Sequence, residues 1–243
     1  MLLLLTVLIA PLAAQPVPVT QPVPEPATDP ERMPTPPPTL PADVKLIALN
    51  PGKTLFLEKT PEGKRRIWLQ AVVCLREGPL EVFLCRKNTK EHEAILSADV
   101  DARDLHQSLI VCGGKPGSPV QFVPEYKTAS GSTIKVSIFH REKGEPKIVP
   151  AQDWIRNVRT KKPMDQSWVF AGSRFLKNPD DPKQPPYYTA NNGEIISLSN
   201  FVDSMLDLPV KSSRETADLL FEADSAKIPP LYTTVYLILE LPN

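Results

Sequence analysis

Along much of the chain, apolar and polar residues alternate with a period of two. Between 66 and 75, Ile67, Leu69, Ala71, Val73 and Leu75 fall on one face, the pattern of a half-buried β-strand. Glu77-Gly78-Pro79 then turns the chain, and Leu80, Val82 and Leu84 share a face on the return. The two runs read as an antiparallel hairpin. Shorter apolar runs at 45–49 and 54–58 flank Asn50-Pro51-Gly52, a turn signal. Further strands are predicted at 119–123, 133–140, 147–151, 167–171, 194–199 and 233–241.

The period changes at Asp101. This residue can cap a helix in which Ala102, Leu105, Leu109 and Cys112 recur at helical spacing, and Gly113-Gly114 stops it. A second short helix is expected at 200–206, with Asn200 as its cap. Ser212-Ser213-Arg214-Glu215 has the form of a capping box, whereas 219–223 reads equally well as a strand. The expected fold is α+β: a predominantly antiparallel β-sheet domain with one or two short helices.

The first 41 residues follow neither period. Residues 1–14 hold a continuous apolar run from Leu2 to Ala10 broken only by Thr6, then Pro11 and the small pair Ala13-Ala14. This is the layout of a secretory signal peptide, without the usual Lys or Arg ahead of its apolar core. The run is too short to span a bilayer, which takes about 20 apolar residues. Gln15, not Cys, follows Ala14, so no thiol is offered there for a lipid anchor. Residues 15–41 are a proline-rich spacer: 12 of the 29 prolines lie between Pro11 and Pro41. Each fixes φ and removes a backbone donor, so this stretch is expected to be a disordered, polyproline-II-like tether. The third unit, 42–243, is long enough for one domain with a sizeable core. The expected setting is therefore outside the cytosol, periplasmic or extracellular, with no transmembrane span in the mature protein.

Charge narrows the partners. Lys+Arg and Asp+Glu are both 28, so the formal net charge is zero, and a general nucleic-acid binder is not expected. An envelope protein or a glycan is the expected partner class. No Gly-x-Ser-x-Gly elbow, His-Glu-x-x-His helix or Cys-x-x-Cys pair occurs. Lys115 and its surrounding glycines lack P-loop spacing, and Pro116 removes a donor; a helix stop and turn explain them. The three cysteines, Cys74, Cys85 and Cys112, leave at least one thiol unpaired. In the predicted hairpin, one register sets Cys74 opposite Cys85 and another sets it opposite Phe83, so a bridge stays open. Three cysteines at these spacings do not suit an iron–sulfur cluster.

Cys85, His92, Glu93 and His106 are the candidate metal ligands, because thiolate, imidazole and carboxylate are what a divalent transition metal such as zinc or copper uses. The plainer reading makes His92 a solvated loop residue and His106 a core-edge residue. Trp154 and Trp168 are candidates for a ligand groove of the kind glycan binders use, with core packing the commoner fate of such rings. The basic cluster Arg156, Arg159, Lys161 and Lys162 reads as a solvated turn.

Several strings carry a resemblance: Arg76-Glu77-Gly78-Pro79-Leu80-Glu81, Thr89-Lys90-Glu91-His92-Glu93, Lys115-Pro116-Gly117-Ser118-Pro119-Val120, Ala151-Gln152-Asp153-Trp154-Ile155-Arg156-Asn157, Trp168-Val169-Phe170-Ala171-Gly172-Ser173, Ser199-Asn200-Phe201 and Met205-Leu206-Asp207-Leu208-Pro209. From about Val72 to Leu241 the chain resembles the YdjY-like domain family of exported bacterial proteins, notably its planctomycete members. The resemblance implies an exported or lipid-anchored protein in a family without a settled biochemical role. A ferredoxin-like label carried by some relatives does not transfer, since the cysteines for a cluster are absent. Cys85, His92, Glu93 and His106 fall on the family's motif positions, which strengthens the idea of a site there. Two expectations follow: an exported cell-envelope domain with a binding or structural role, leaning away from an enzyme, or a metal- or thiol-dependent enzyme centred on those four residues.

Overall fold

A computed structural model describes residues 33–212 and 220–242. The long alternating run forms strand β3 (Arg65–Val73) after a hairpin of β1 (Leu46–Ala48) and β2 (Leu55–Lys59). Its predicted inner face holds: Ile67, Leu69, Ala71 and Val73 are buried together in the main core. The return run does form a strand, β4 (Val82–Arg86), but it does not pair with β3 as a hairpin. Between them comes β5 (Ala94–Ala98), antiparallel to β3 and parallel to β4. Its five residues are all buried, so the run lacks the alternation that marks a half-exposed strand.

The remaining elements are α1 (Ala102–Val111), β6 (Thr133–Glu142), β7 (Glu145–Pro150), β8 (Ile155–Asn157), β9 (Trp168–Phe170), β10 (Phe175–Leu176), β11 (Tyr187–Tyr188), β12 (Ile196–Ser197), β13 (Leu206–Asp207), β14 (Phe221–Ala223) and β15 (Thr234–Glu240). The order β3-β15-β6-β9-β13-β12-β4-β5 returns to β3 through the β3–β5 pairing. The sheet therefore closes on itself as an eight-stranded barrel, mixed because β4–β5 and β12–β13 are parallel. Closure removes the edge strands an open sheet would expose.

This corrects the expected α+β sheet. The protein is mostly β, with a single α-helix among the described residues. Helix α1 is where the spacing placed it: Asp101 accepts from the Arg103 N–H at 2.9 Å, and Gly113 at φ +98° ends it. Ala102, Leu105 and Leu109 pack into the barrel core. The second expected helix, 200–206, does not form. Asn200 spends its side chain on tertiary partners, with Nδ2 donating to Asp207 Oδ1 (3.2 Å) and to the Leu208 carbonyl (3.3 Å). Its Oδ1 accepts from the Ser212 N–H at 2.7 Å. These tertiary bonds occupy the side chain that a helix cap would need. Of the capping-box string, only Ser212 is among the described residues, while strand β14 covers part of 219–223.

Two long strands each share one edge between two neighbours. Strand β3 pairs with β15 along one side; its other side takes β2 at 65–69 and β5 at 72–73. Strand β6 likewise takes β9 at 133–134 and β7 at 137–142. The β6–β7 turn is two residues, Lys143 (φ 52°) and Gly144 (φ 89°), as a tight hairpin of right-twisted strands requires. Outside the barrel, Trp68, Phe139, Tyr236 and Ile238 form a second apolar cluster, covered by Leu40, Val44, Leu46 and Phe56. Beneath it Glu58, 4% exposed, accepts from Trp68 Nε1 at 2.6 Å and pairs through both oxygens with Arg66.

The proline-rich segment thus meets the barrel. Among its described residues, Thr35 donates its N–H to the Tyr232 carbonyl (2.8 Å), its hydroxyl accepts from the Thr234 N–H (2.9 Å), and the Thr39 carbonyl accepts from Arg141. Residues 1–32, including the predicted signal peptide and most of the spacer, lie outside the described residues. No helix among the described residues is long and apolar enough to cross a membrane.

Candidate functional site

The β3 fork makes a hollow. Where β2 departs and β5 arrives, the outward residues Gln70, Val72 and Cys74 of β3 and its extension face a cavity of about 660 Å³. Thr54 bridges the fork: its carbonyl accepts the Gln70 N–H at 2.7 Å, and its hydroxyl donates to the Asp99 carbonyl at 2.8 Å. Asn50 holds Thr54 in place by accepting its N–H at 3.0 Å. Ser97 and Asp99 form one wall, Lys87, Asn88 and Glu91 a second, and Pro34 with Tyr232 a third.

The second wall is a loop pinned from behind. Lys90 Nζ pairs with Glu93 (2.7 Å) and Glu194 (3.4 Å) and sits 4.5 Å from the centre of the Phe201 ring. Glu194 is buried, which raises its pKa, and the Lys90 ammonium opposes that rise. Gly193 lets the loop close over this pair: a Cβ there would lie 2.8 Å from Thr89 Oγ1 and 2.9 Å from Lys90 Cγ. At the tip, the Asn88 N–H donates to Glu91 Oε1 at 2.6 Å, with Asn88 at φ 63°.

Tyr232, on the third wall, has φ 65°. A positive φ is a true outlier for so bulky a residue, and it stands here because the Val73 carbonyl and the Thr35 N–H hold the backbone on both sides. Lys87 and Asp99 make no ion pair with any described residue; with Glu91, whose Oε1 is held by the Asn88 N–H, the cavity lining carries one ammonium and two carboxylates. Cys74 closes the floor. Its S–H donates to the Ala94 carbonyl at 3.1 Å, and the adjacent Cys85 thiol, then burial, push its pKa well above the ordinary thiol range.

The four predicted metal ligands do not gather. Cys85 is wholly buried among Val82, Ala94 and Phe201. The His92 side chain is 77% exposed, with Nε2 3.8 Å from Glu93. His106, half-buried on α1, is enclosed by Phe170, Phe175 and Tyr188, with ring centres 4.8, 6.5 and 5.4 Å away. Among the described residues, no group of three His, Cys, Asp or Glu side chains is placed to hold a metal ion. His106 nevertheless has a defined chemical state. The Tyr188 hydroxyl gives its proton to the Gly172 carbonyl (2.9 Å), so at 2.8 Å it accepts from His106 Nδ1–H. Burial lowers the His106 pKa, and the lone pair of the neutral ring then resides on Nε2.

Trp154 and Trp168 do not line a groove. They are 1% and 0% exposed; Trp154 packs on His140, and Trp168 donates Nε1–H to the Ser197 carbonyl at 2.8 Å. In the basic cluster, Arg156 and Lys161 are both spent on Glu222, at 2.8 and 2.7 Å.

The fork pocket itself escaped the sequence reading because its walls come from positions 34 to 232 and no local motif marks it. The one available signal was the outward set Gln70, Val72 and Cys74, the complement of the predicted buried face.

The architecture defines the class: a closed mixed β-barrel with a side pocket at a forked strand. The chain belongs to the YdjY domain family, whose model matches residues 60–240. Neither the curated proteins nor the solved structures contain a match to it.

Proposed function

We propose that this YdjY domain is an exported binding module whose fork pocket takes a small zwitterionic molecule, such as an amino acid or a short peptide. One observation carries the reading: a cavity of about 660 Å³ lined by Lys87 and Asp99, neither of which makes an ion pair among the described residues, and by Tyr232 at φ 65°. That volume lies within the range of small-molecule sites, roughly 300–1,000 Å³. Lys87 would take the ligand carboxylate and Asp99 its ammonium, while Gln70 and Ser97 supply neutral hydrogen bonds. Support for export is the apolar run Leu2–Ala10 followed by Pro11 and Ala13-Ala14.

Thermal-shift and calorimetric titration of the purified chain with a panel of free amino acids and dipeptides tests the binding. A saturable shift that is lost in both Lys87→Ala and Asp99→Asn supports the reading. No binding across the panel at millimolar concentration, or binding unchanged in both variants, overturns it.

A further inference from the structure

The ionised groups of the fork pocket do not balance. Lys87 brings one ammonium to the lining, whereas Asp99 and Glu91 bring two carboxylates. The backbone sets Lys87 and Asp99 side by side. The parallel β4–β5 ladder places Cys85 opposite Ser97 and Arg86 opposite Ala98, and one more bond extends it, from the Lys87 N–H to the Ala98 carbonyl at 2.9 Å. That bond brings Lys87 opposite Asp99, at the spacing of neighbouring strands, roughly 5 Å. The α-carboxylate and α-ammonium of an amino acid leave one carbon, so a single end of the ligand serves both groups.

Glu91 is then left over. Its Oε1 accepts from the Asn88 N–H at 2.6 Å, which holds the carboxylate at the wall. The neighbouring cation does not neutralise it, because Lys90 is spent on Glu93 (2.7 Å) and Glu194 (3.4 Å). Glu91 is half-buried, while Lys87 and Asp99 are exposed at the rim. Water therefore screens Glu91 less, and a counter-charge gains most there.

We infer that the fork pocket selects a ligand with one carboxylate and two cationic groups, a basic amino acid such as lysine or arginine, and that Glu91 recognises its second positive charge. The inference rests on the pocket being a zwitterion site. Lys87 and Asp99 take the α-groups, Glu91 takes the side-chain cation, and Pro34, Ala71 and Val72 offer apolar surface to the methylenes between them. A neutral side chain leaves Glu91 without a counter-charge, and an acidic one sets a like charge beside it.

The test is calorimetric titration of the full chain with matched ligands: arginine against citrulline, its uncharged analogue of equal length, lysine against norleucine, and glutamate. Arginine and lysine should bind at least about tenfold tighter than their neutral partners, as a hydrogen-bonded charge pair requires. Glutamate should bind most weakly. Glu91→Gln keeps an oxygen for the Asn88 N–H and removes the charge, so arginine and citrulline should then bind with near-equal affinity. Equal affinities within each pair on the wild type, or a preference for glutamate, overturn the charge selection and leave the zwitterion site standing. A preference for arginine undiminished in Glu91→Gln overturns the role of Glu91. Binding by none of these ligands overturns the zwitterion site and the selection together. The wild-type comparison decides the selection even if the variant does not fold, and circular dichroism identifies that case.

Discussion

Asp207 offers the sharpest test of the energetics. It is fully buried on β13, where Oδ1 accepts from the Leu208 N–H (2.8 Å) and from Asn200 Nδ2 (3.2 Å), while Oδ2 has no hydrogen-bond partner among the described residues. Burial pushes its pKa from 3.8 up to about 7, against the pull of those donors. The unfolded chain releases this proton near pH 4, the folded chain only near pH 7. Between these values the folded state holds one more proton than the unfolded state, so stability falls as pH rises. A shift of roughly 3 units at 1.36 kcal/mol each corresponds to about 4 kcal/mol. That contribution is fully present below about pH 4 and lost once pH has passed about 7. Asp207→Asn keeps the Oδ1 acceptor, removes the titration and leaves a buried amide short of a partner, at a cost of about 1–3 kcal/mol. Urea unfolding followed by fluorescence of the buried Trp154 and Trp168 gives the stability of both chains from pH 4 to 8. The variant should gain about 4 kcal/mol on the wild type across that range, whatever its offset at pH 4. A gap that stays constant with pH, or that opens in the wild type's favour, refutes the argument.

The remaining predictions concern the packing and the helix. Glu58→Ala strands the Trp68 N–H and the Arg66 guanidinium in the outer cluster; a loss of roughly 2–4 kcal/mol is expected by urea titration. Gly131→Ala would put a Cβ 2.0 Å from the Phe170 carbonyl oxygen at φ +141°, so it should cost more than about 3 kcal/mol and lower the melting temperature by many degrees. Nitrogen-15 NMR should find His106 as the Nδ1–H tautomer at neutral pH and titrating below the usual 6.5. In Tyr188→Phe the fixed tautomer should give way to a mixture. Because its folded pKa is depressed, His106 should also cost stability as pH falls below about 6.5, the opposite sign to Asp207.

What the sequence alone determined was local. The face of β3, the extent of α1, its Asp101 cap and its Gly113 stop follow from side-chain periodicity and backbone sterics, which act within a few residues. Membership of the YdjY family was legible in the same way, from short strings of consecutive residues. What only the tertiary structure decided was the partnering. Ala94–Ala98 is buried on all sides and shows no alternation, so nothing in its pattern announced the strand that separates β3 from β4 and closes the barrel. Asn200 had the composition of a helix cap, yet hydrogen bonds to Asp207, Leu208, Ser212 and the distant Tyr126 made it the anchor of a buried polar network. Cys74 and Cys85 are both free, and β5 lies between their strands where the expected hairpin would have made those strands neighbours. The fork pocket exists because two strands compete for one edge of β3. That competition is settled by the free energy of closing the whole barrel, to which no single stretch of the chain has access.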